Sequence, residues 1–249
     1  MNLEQLKIYA NLRGLNLGQA EKDYYQNIIL FILYNKLSKE LVFKGGTALA
    51  KCYGLNRFSE DLDFTVTEEM DFIGMIDKGL DEFRIIHLVK ETRISDNSKK
   101  YKVKIEGVLY KGTERTLCSI TLDFSLREKI LFSPDISTIG HHMDIIPVFE
   151  VYVMKKEEIM AEKVRAILTR KSARDLYDLV FLINNGIIAD KKSINEKLNY
   201  YELTFDRDKL IERLRSIKDI WNSELKSLIR NVPDLEVYVS LVKNKDWIK

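Results

Sequence analysis

Apolar spacing changes character once along this 249-residue chain, and that change constrains the fold more than any other feature. Up to about residue 153, apolar residues come mostly in short runs or at alternate positions, as in strands. Beyond Lys155 they recur at every third or fourth position, as in helices. The pattern predicts an α+β chain: an α/β domain over residues 1–153 with a mixed sheet, then a helical domain over residues 154–249.

Within the first domain, residues 19–38 read as a helix with apolar side chains almost all round (Tyr24, Tyr25, Ile28, Ile29, Ile32, Leu33, Leu37), which implies burial. Leu41, Val42 and Phe43 form a short strand stopped by Gly45 and Gly46, and residues 47–53 resume a helical period. Residues 61–66 alternate as a strand, and residues 68–84 read as a helix. Strands are expected near 85–94, 102–109, 117–125 and 148–153, with residues 133–147 a loop marked by Pro134 and Pro147. In the second domain, helices are expected over 157–169, 172–184, 191–200 and 206–231. The last spaces Leu210, Leu214, Ile217, Trp221, Leu225 and Leu228 along one face.

Composition narrows the class of protein. Forty basic against 38 acidic residues leave no general polycation, so a nucleic acid would need a local basic patch. Cys52 and Cys118 lie far apart, and His87, His141 and His142 lack ligand spacing, which argues against zinc. No apolar run is long enough to span a membrane and no signal peptide is visible, so a soluble, cytoplasmic protein is expected.

The strongest chemical signal is Lys44-Gly45-Gly46-Thr47 followed by Arg57-Phe58-Ser59-Glu60-Asp61-Leu62-Asp63-Phe64. Two glycines let backbone approach a ligand, and the next helix offers unpaired N–H groups and a positive dipole end to phosphate. Thr47 adds a hydroxyl. Asp61 and Asp63 stand two residues apart on a strand, so both carboxylates project from one face, roughly 5–7 Å apart. Such a pair repels unless a cation lies between, and hard oxygen ligands suit Mg²⁺ (or Mn²⁺) with substrate phosphates. Asp123, on another expected strand, offers a third acid, with Glu106 a rival. Three acids beside a phosphate-binding turn make a two-metal site. Taken singly, the acids also read as a solvated strand edge and the glycines as a plain turn.

A second constellation lies in the helical half. Lys163 sits in Glu162-Lys163-Val164-Arg165, and Arg170-Lys171-Ser172-Ala173-Arg174-Asp175-Leu176-Tyr177-Asp178 follows. Spacing alone reads Ser172 and Asp175 as a capping box, Arg174 and Asp178 as an i,i+4 ion pair, and Lys163 as a solvated helix residue.

The two motifs in this order resemble the DNA polymerase β-like nucleotidyltransferase superfamily, and in detail the AbiEii/AbiGii toxin family. The resemblance covers roughly residues 40–66 and 155–183. It implies a nucleotidyltransferase core followed by a helical domain that completes the nucleotide site. It implies a Mg²⁺- and NTP-dependent transfer of a nucleoside monophosphate to an acceptor hydroxyl. Asp61, Asp63 and Asp123 would carry the metals, and Gly45, Gly46, Thr47, Arg57 and Ser59 would bind the nucleotide. Lys163 would approach the phosphates, supported by Asp175 or Asp178. The resemblance also suggests a toxin of a toxin–antitoxin or abortive-infection system, with a cognate antitoxin as partner and tRNA or another RNA as acceptor. Nucleotidylation of a protein or small molecule, and a non-catalytic nucleotide-binding module, are the alternatives. For RNA contact the sequence offers residues 99–104 with Tyr101, and residues 165–174 near Tyr177, the second the better candidate.

Overall fold

A computed structural model describes residues 1–95 and 97–249. The chain divides into two compact units. The first comprises Met1–Tyr53, Phe58–Lys129 and Pro134–Val153. The second comprises Met154–Lys249 together with the short segments Gly54–Arg57 and Ile130–Ser133.

The first unit begins with helices α1 (Leu3–Arg13) and α2 (Leu17–Tyr34). Each opens on a capping box, Asn2 with Gln5 and Asn16 with Gln19, which satisfies N–H groups that a helix start leaves unpaired. Strand β1 (Leu41–Lys44) runs directly into α3 (Gly45–Cys52). Then follow β2 (Leu62–Val66), α4 (Phe72–Glu82), β3 (His87–Ser95), β4 (Ser98–Ile105), β5 (Cys118–Ser125), β6 (Asp135–Ile139) and β7 (Phe149–Val153). They form one mixed sheet in the order β3-β4-β5-β2-β1-β7-β6. The β1–β7 and β2–β5 pairs are parallel, and the others antiparallel.

Alternation sorts this sheet into two faces. Phe43, Phe64 and Phe124 point one way and bury completely, with ring centroids 5.6 Å apart between Phe43 and Phe64 and 5.1 Å between Phe64 and Phe124. Phe72 of α4 stacks on Phe124 at 4.1 Å, and α2 supplies Ile28, Ile29 and Leu33 to the same core. The neighbours of those phenylalanines, Lys44, Asp63 and Asp123, therefore point to the opposite face.

A buried polar network crosses the helices of this unit. Asp23 accepts from Tyr9 Oη at 2.6 Å and pairs with Lys51 Nζ at 2.5 Å, while Lys51 also donates to Asn27 at 2.7 Å. Burial and then the charge of Asp23 push the Tyr9 phenol well above its ordinary range. The network ties α1 and α2 to α3, the helix that carries the glycine pair.

In the second unit the helices are α5 (Lys156–Thr169), α6 (Ala173–Asn184), α7 (Lys191–Asn199), α8 (Arg207–Arg215), α9 (Lys218–Leu225) and α10 (Leu235–Asn244). Glu158 of α5, fully buried, accepts the backbone N–H groups of Leu131 and Phe132 and the ammonium of Lys197 at 2.7 Å. It thereby clamps residues 130–133 onto the helices.

Helices α1 and α10 lie where no element was expected, β4 runs over Ser98–Ile105 rather than 102–109, and two further elements differ in kind. Residues 133–147, expected to be a loop, contain the edge strand β6. Pro134 stands immediately before it, where proline costs no ladder hydrogen bond, and so marks a strand entrance. The single helix expected over 206–231 is two, α8 and α9, separated at Ser216, whose hydroxyl donates to the Arg213 carbonyl at 2.7 Å. The apolar stripe continues across the break: Leu210, Leu214, Ile217, Trp221 and Leu225 are all buried.

Candidate active site

The sheet unit brings one group of the expected residues together by register. Lys44 lies opposite Asp63, and Asp63 opposite Asp123, which lies opposite Lys100. One cross-strand row therefore carries plus, minus, minus, plus on the face away from the aromatic core, with neighbouring strands about 4.8 Å apart. Asp123 pairs with Lys100 Nζ at 2.7 Å and accepts from Ser98 Oγ at 2.9 Å. Lys44 lies 3.6 Å from Glu128, and both are buried. Glu106 stands beyond the far end of β4, past the Ile105–Cys118 pair, so the register sets Asp123 and not Glu106 beside Asp63.

The glycine pair forms the first turn of α3 itself. Gly45 has φ +75°, a left-handed conformation that lets the chain pass from strand to helix without a loop. A Cβ at Gly45 would collide with a carboxylate oxygen of Asp63 and lie 3.1 Å from its Cβ. Glycine is thus required twice, by backbone and by the proximity of Asp63. Gly46 and Thr47 are buried, and the Thr47 hydroxyl donates to the Asp61 carbonyl. That bond holds Asp61, half-buried just before β2, against the helix start.

Gln26 of α2 completes the framework. Its amide nitrogen donates to the carbonyls of Ser59 at 3.1 Å and Glu60 at 2.9 Å, fixing the backbone immediately ahead of Asp61. Ser59 enters here through its carbonyl.

Whether these residues suit a divalent cation is a question of donor chemistry. Asp63 and Asp123 present hard oxygen donors side by side, which fits Mg²⁺. As they stand, the charge beside Asp123 is balanced by Lys100. Among the described residues, no three acidic, histidine or cysteine side chains are gathered tightly enough to enclose an ion. An ion would therefore compete with Lys100 for Asp123.

The helical unit gathers the other group. Arg57 grips Asp178 with two parallel bonds, Nε to Oδ1 at 2.6 Å and Nη2 to Oδ2 at 2.7 Å. Lys163 Nζ lies 2.7 Å from Asp178 and 3.0 Å from Asp175, and Arg170 bonds Asp175 at 2.8 and 3.0 Å. Arg57, Lys163, Asp175 and Asp178 are all buried. Burial disfavours the ionised carboxyls, but Arg57 and then Lys163 hold Asp178 below the usual range. Lys163 followed by Arg170 does the same for Asp175. Burial would lower the Lys163 ammonium, and the two carboxylates outweigh it to raise it.

These contacts correct the reading from spacing. Lys163 is no solvated helix residue. Ser172 is the N-cap of α6 without a side-chain cap bond, and Asp175 turns to Lys163 and Arg170 instead. The cap is supplied from α9 by Glu224, which accepts the Ala173 N–H at 2.9 Å. Asp178 meets Arg57 and Lys163 rather than Arg174. The aromatic candidates also resolve: Tyr101 is buried against Phe124, and Tyr177 stacks on Tyr238 at 5.8 Å.

Sequence reasoning passed over Ser98, Glu128 and Gln26, gave Lys44 no role within its motif, and read Lys100 only as part of the basic stretch 99–104. Gln26 had a signal, an amide that with Asn27 interrupts the run of large apolar residues from Tyr24 to Tyr34. Lys100 needed the strand register to be seen.

The fold that carries these two groups of residues is shared with solved structures. The chain is similar to JHP933 from Helicobacter pylori (TM-score 0.55, 23% identity, covering 97% of this chain and 90% of that one). It is likewise similar to MenT4, a nucleotidyltransferase toxin from Mycobacterium tuberculosis (TM-score 0.59, 19% identity, 99% and 91% covered). A comparison with curated protein sequences finds no match. The family model described as the nucleotidyl transferase AbiEii toxin of type IV toxin–antitoxin systems matches residues 29–248. The chain belongs to this nucleotidyltransferase toxin family. Among the described residues, no helix is long and apolar enough to cross a membrane.

Proposed function

We propose that this enzyme transfers a nucleoside monophosphate from a Mg²⁺-bound NTP to a hydroxyl of an RNA acceptor, tRNA being the first to test, and acts as a toxin held in check by an antitoxin. The observation that carries the reading is the in-register pairing of Asp63 with Asp123 beside the Gly45 turn.

In this reading the first-turn N–H groups of Gly46 and Thr47 receive phosphate oxygens, aided by the dipole of α3. Asp61, Asp63 and Asp123 would hold the metal ions. When bound, the metals supply charge neutralisation at the triphosphate and lower the pKa of the attacking hydroxyl. The acceptor oxygen forms a bond to the α-phosphorus as the bond from that phosphorus to the bridging oxygen breaks. Pyrophosphate leaves with the electron pair, and the acceptor proton passes to water. Arg57 and Asp175 orient the cluster around Lys163, with Asp178 contacting both cations, and Lys163 offers its charge to phosphate.

The test is incubation with each labelled NTP, Mg²⁺ and total RNA, followed by gel separation. Label in RNA supports the proposal. Label in protein, or none, refutes the RNA acceptor, and loss of transfer in Asp63→Ala ties any activity to this site.

A further inference from the structure

Register sorts the lysines of the β3–β4 hairpin in a way the sequence hides. On β4, Tyr101, Val103 and Ile105 are buried in the aromatic core, and Lys99 shares their side, where it meets Glu69. Lys100, Lys102 and Lys104 take the other side, the one that carries Asp63 and Asp123. Across the next ladder Arg93 lies opposite Lys100, and Lys90 opposite Lys102. Five basic residues thus share one sheet face, beginning at the carboxylate row and running about 13 Å along β4.

Two of the five have resident partners, Lys100 with Asp123 and Lys104 with Glu114. Lys102 and Arg93 have no carboxylate within ion-pairing distance among the described residues. Lys90 feels Glu114 only as a nearby charge, and both Lys90 and Arg93 are exposed. Like charges placed directly opposite on paired strands are destabilising, so Lys90 against Lys102 works against the hairpin that carries it. Among the described residues, no ion pair offsets that repulsion. The Arg93–Lys100 row lies about 6.8 Å along the strands from the Lys90–Lys102 row, a spacing suited to successive phosphates of an extended nucleic-acid strand.

We propose that this face of the hairpin is the track for the acceptor: Lys90, Arg93 and Lys102 hold the sugar–phosphate backbone of single-stranded RNA, leading its end toward Asp63 and Asp123. The inference rests on the RNA-acceptor reading above and adds where the RNA lies. Lys99 and Tyr101 take no part in it.

The test compares the wild type with the triple variant Lys90→Ala, Arg93→Ala, Lys102→Ala. A second triple variant, Lys218→Ala, Lys226→Ala, Arg230→Ala, removes three exposed charges from the helical unit. A labelled oligoribonucleotide is titrated by fluorescence anisotropy over a range of salt. Each single-strand phosphate contact adds about 0.7 to the log–log salt slope, so losing three flattens it by about 2. A fourfold rise in salt then weakens the wild type about 16-fold more than the hairpin variant. The control keeps the wild-type slope. In turnover, KM for RNA rises in the hairpin variant and KM for NTP does not. A hairpin variant with wild-type slope and RNA KM overturns the track while leaving the RNA acceptor standing. A wild type that neither binds nor labels RNA overturns both. Melting curves of the two triple variants check folding; a hairpin variant that fails to fold is replaced by Lys90→Gln with Lys102→Gln, for which the expected flattening is about 1.4.

Discussion

Substituting Gly45 with alanine tests how the glycine turn and the carboxylate row depend on one another. Two costs are separable in the structure. The first is conformational: φ at Gly45 is +75°, and a non-glycine residue in that region pays about 1–2 kcal/mol. The second is steric: the new methyl would occupy the space of an Asp63 carboxylate oxygen and lie 3.1 Å from both Cβ and Cγ of that residue. Overpacking of this kind costs about 1–3 kcal/mol, so the single variant should lose about 2–5 kcal/mol. In an Asp63→Ala background the oxygen and Cγ are gone and mainly the conformational part remains. Urea unfolding of the wild type, both single variants and the double variant forms a cycle. The expected coupling is about 1 kcal/mol or more, with Gly45→Ala cheaper when Asp63 is already alanine. Equal costs in the two backgrounds would refute the argument that Asp63 packs against the glycine.

Three further outcomes follow from the buried contacts. Asp178→Asn leaves Arg57 and Lys163 short of an anion in a buried setting and should cost about 3–5 kcal/mol by chemical denaturation. Asp175 and Asp178 have folded pKa values below their unfolded value of about 3.9, so their stabilisation is complete above that pH. It is lost as pH falls through the folded values, and Asp178→Asn should flatten the acid limb of a plot of Tm against pH. Gln26→Leu orphans the Ser59 and Glu60 carbonyls, costs about 1–3 kcal/mol, and should lower kcat by shifting Asp61. An unchanged kcat in that variant would leave Gln26 a purely structural role.

Most of the sheet strands, most of the helices after Lys155 and the separation of Asp63 from the aromatic face were legible because alternation and helical period are local properties. Asp123 was found by its residue type and its apolar neighbours, but its place beside Asp63 depends on a parallel pairing across nearly sixty residues, which no local pattern encodes. The same holds for Lys100. In the helical half, Asp175 at three residues from Ser172 imitates a capping box. Its true partners, Lys163 and Arg170, come from α5 and the turn after it, and tertiary pairing overrides the local option. Helix α10 escaped the reading, although its buried face, Leu235, Val239 and Val242, keeps a helical period. The proline before β6 misled in the opposite direction, since the same residue ends loops and begins edge strands.

The most direct measurement is Mn²⁺ binding followed by electron paramagnetic resonance in the presence of a non-hydrolysable NTP analogue. The account predicts loss of bound Mn²⁺ signal in both Asp63→Asn and Asp123→Asn, with the wild type saturating. Wild-type Mn²⁺ affinity in either variant would contradict the claim that these two paired aspartates hold the catalytic metal.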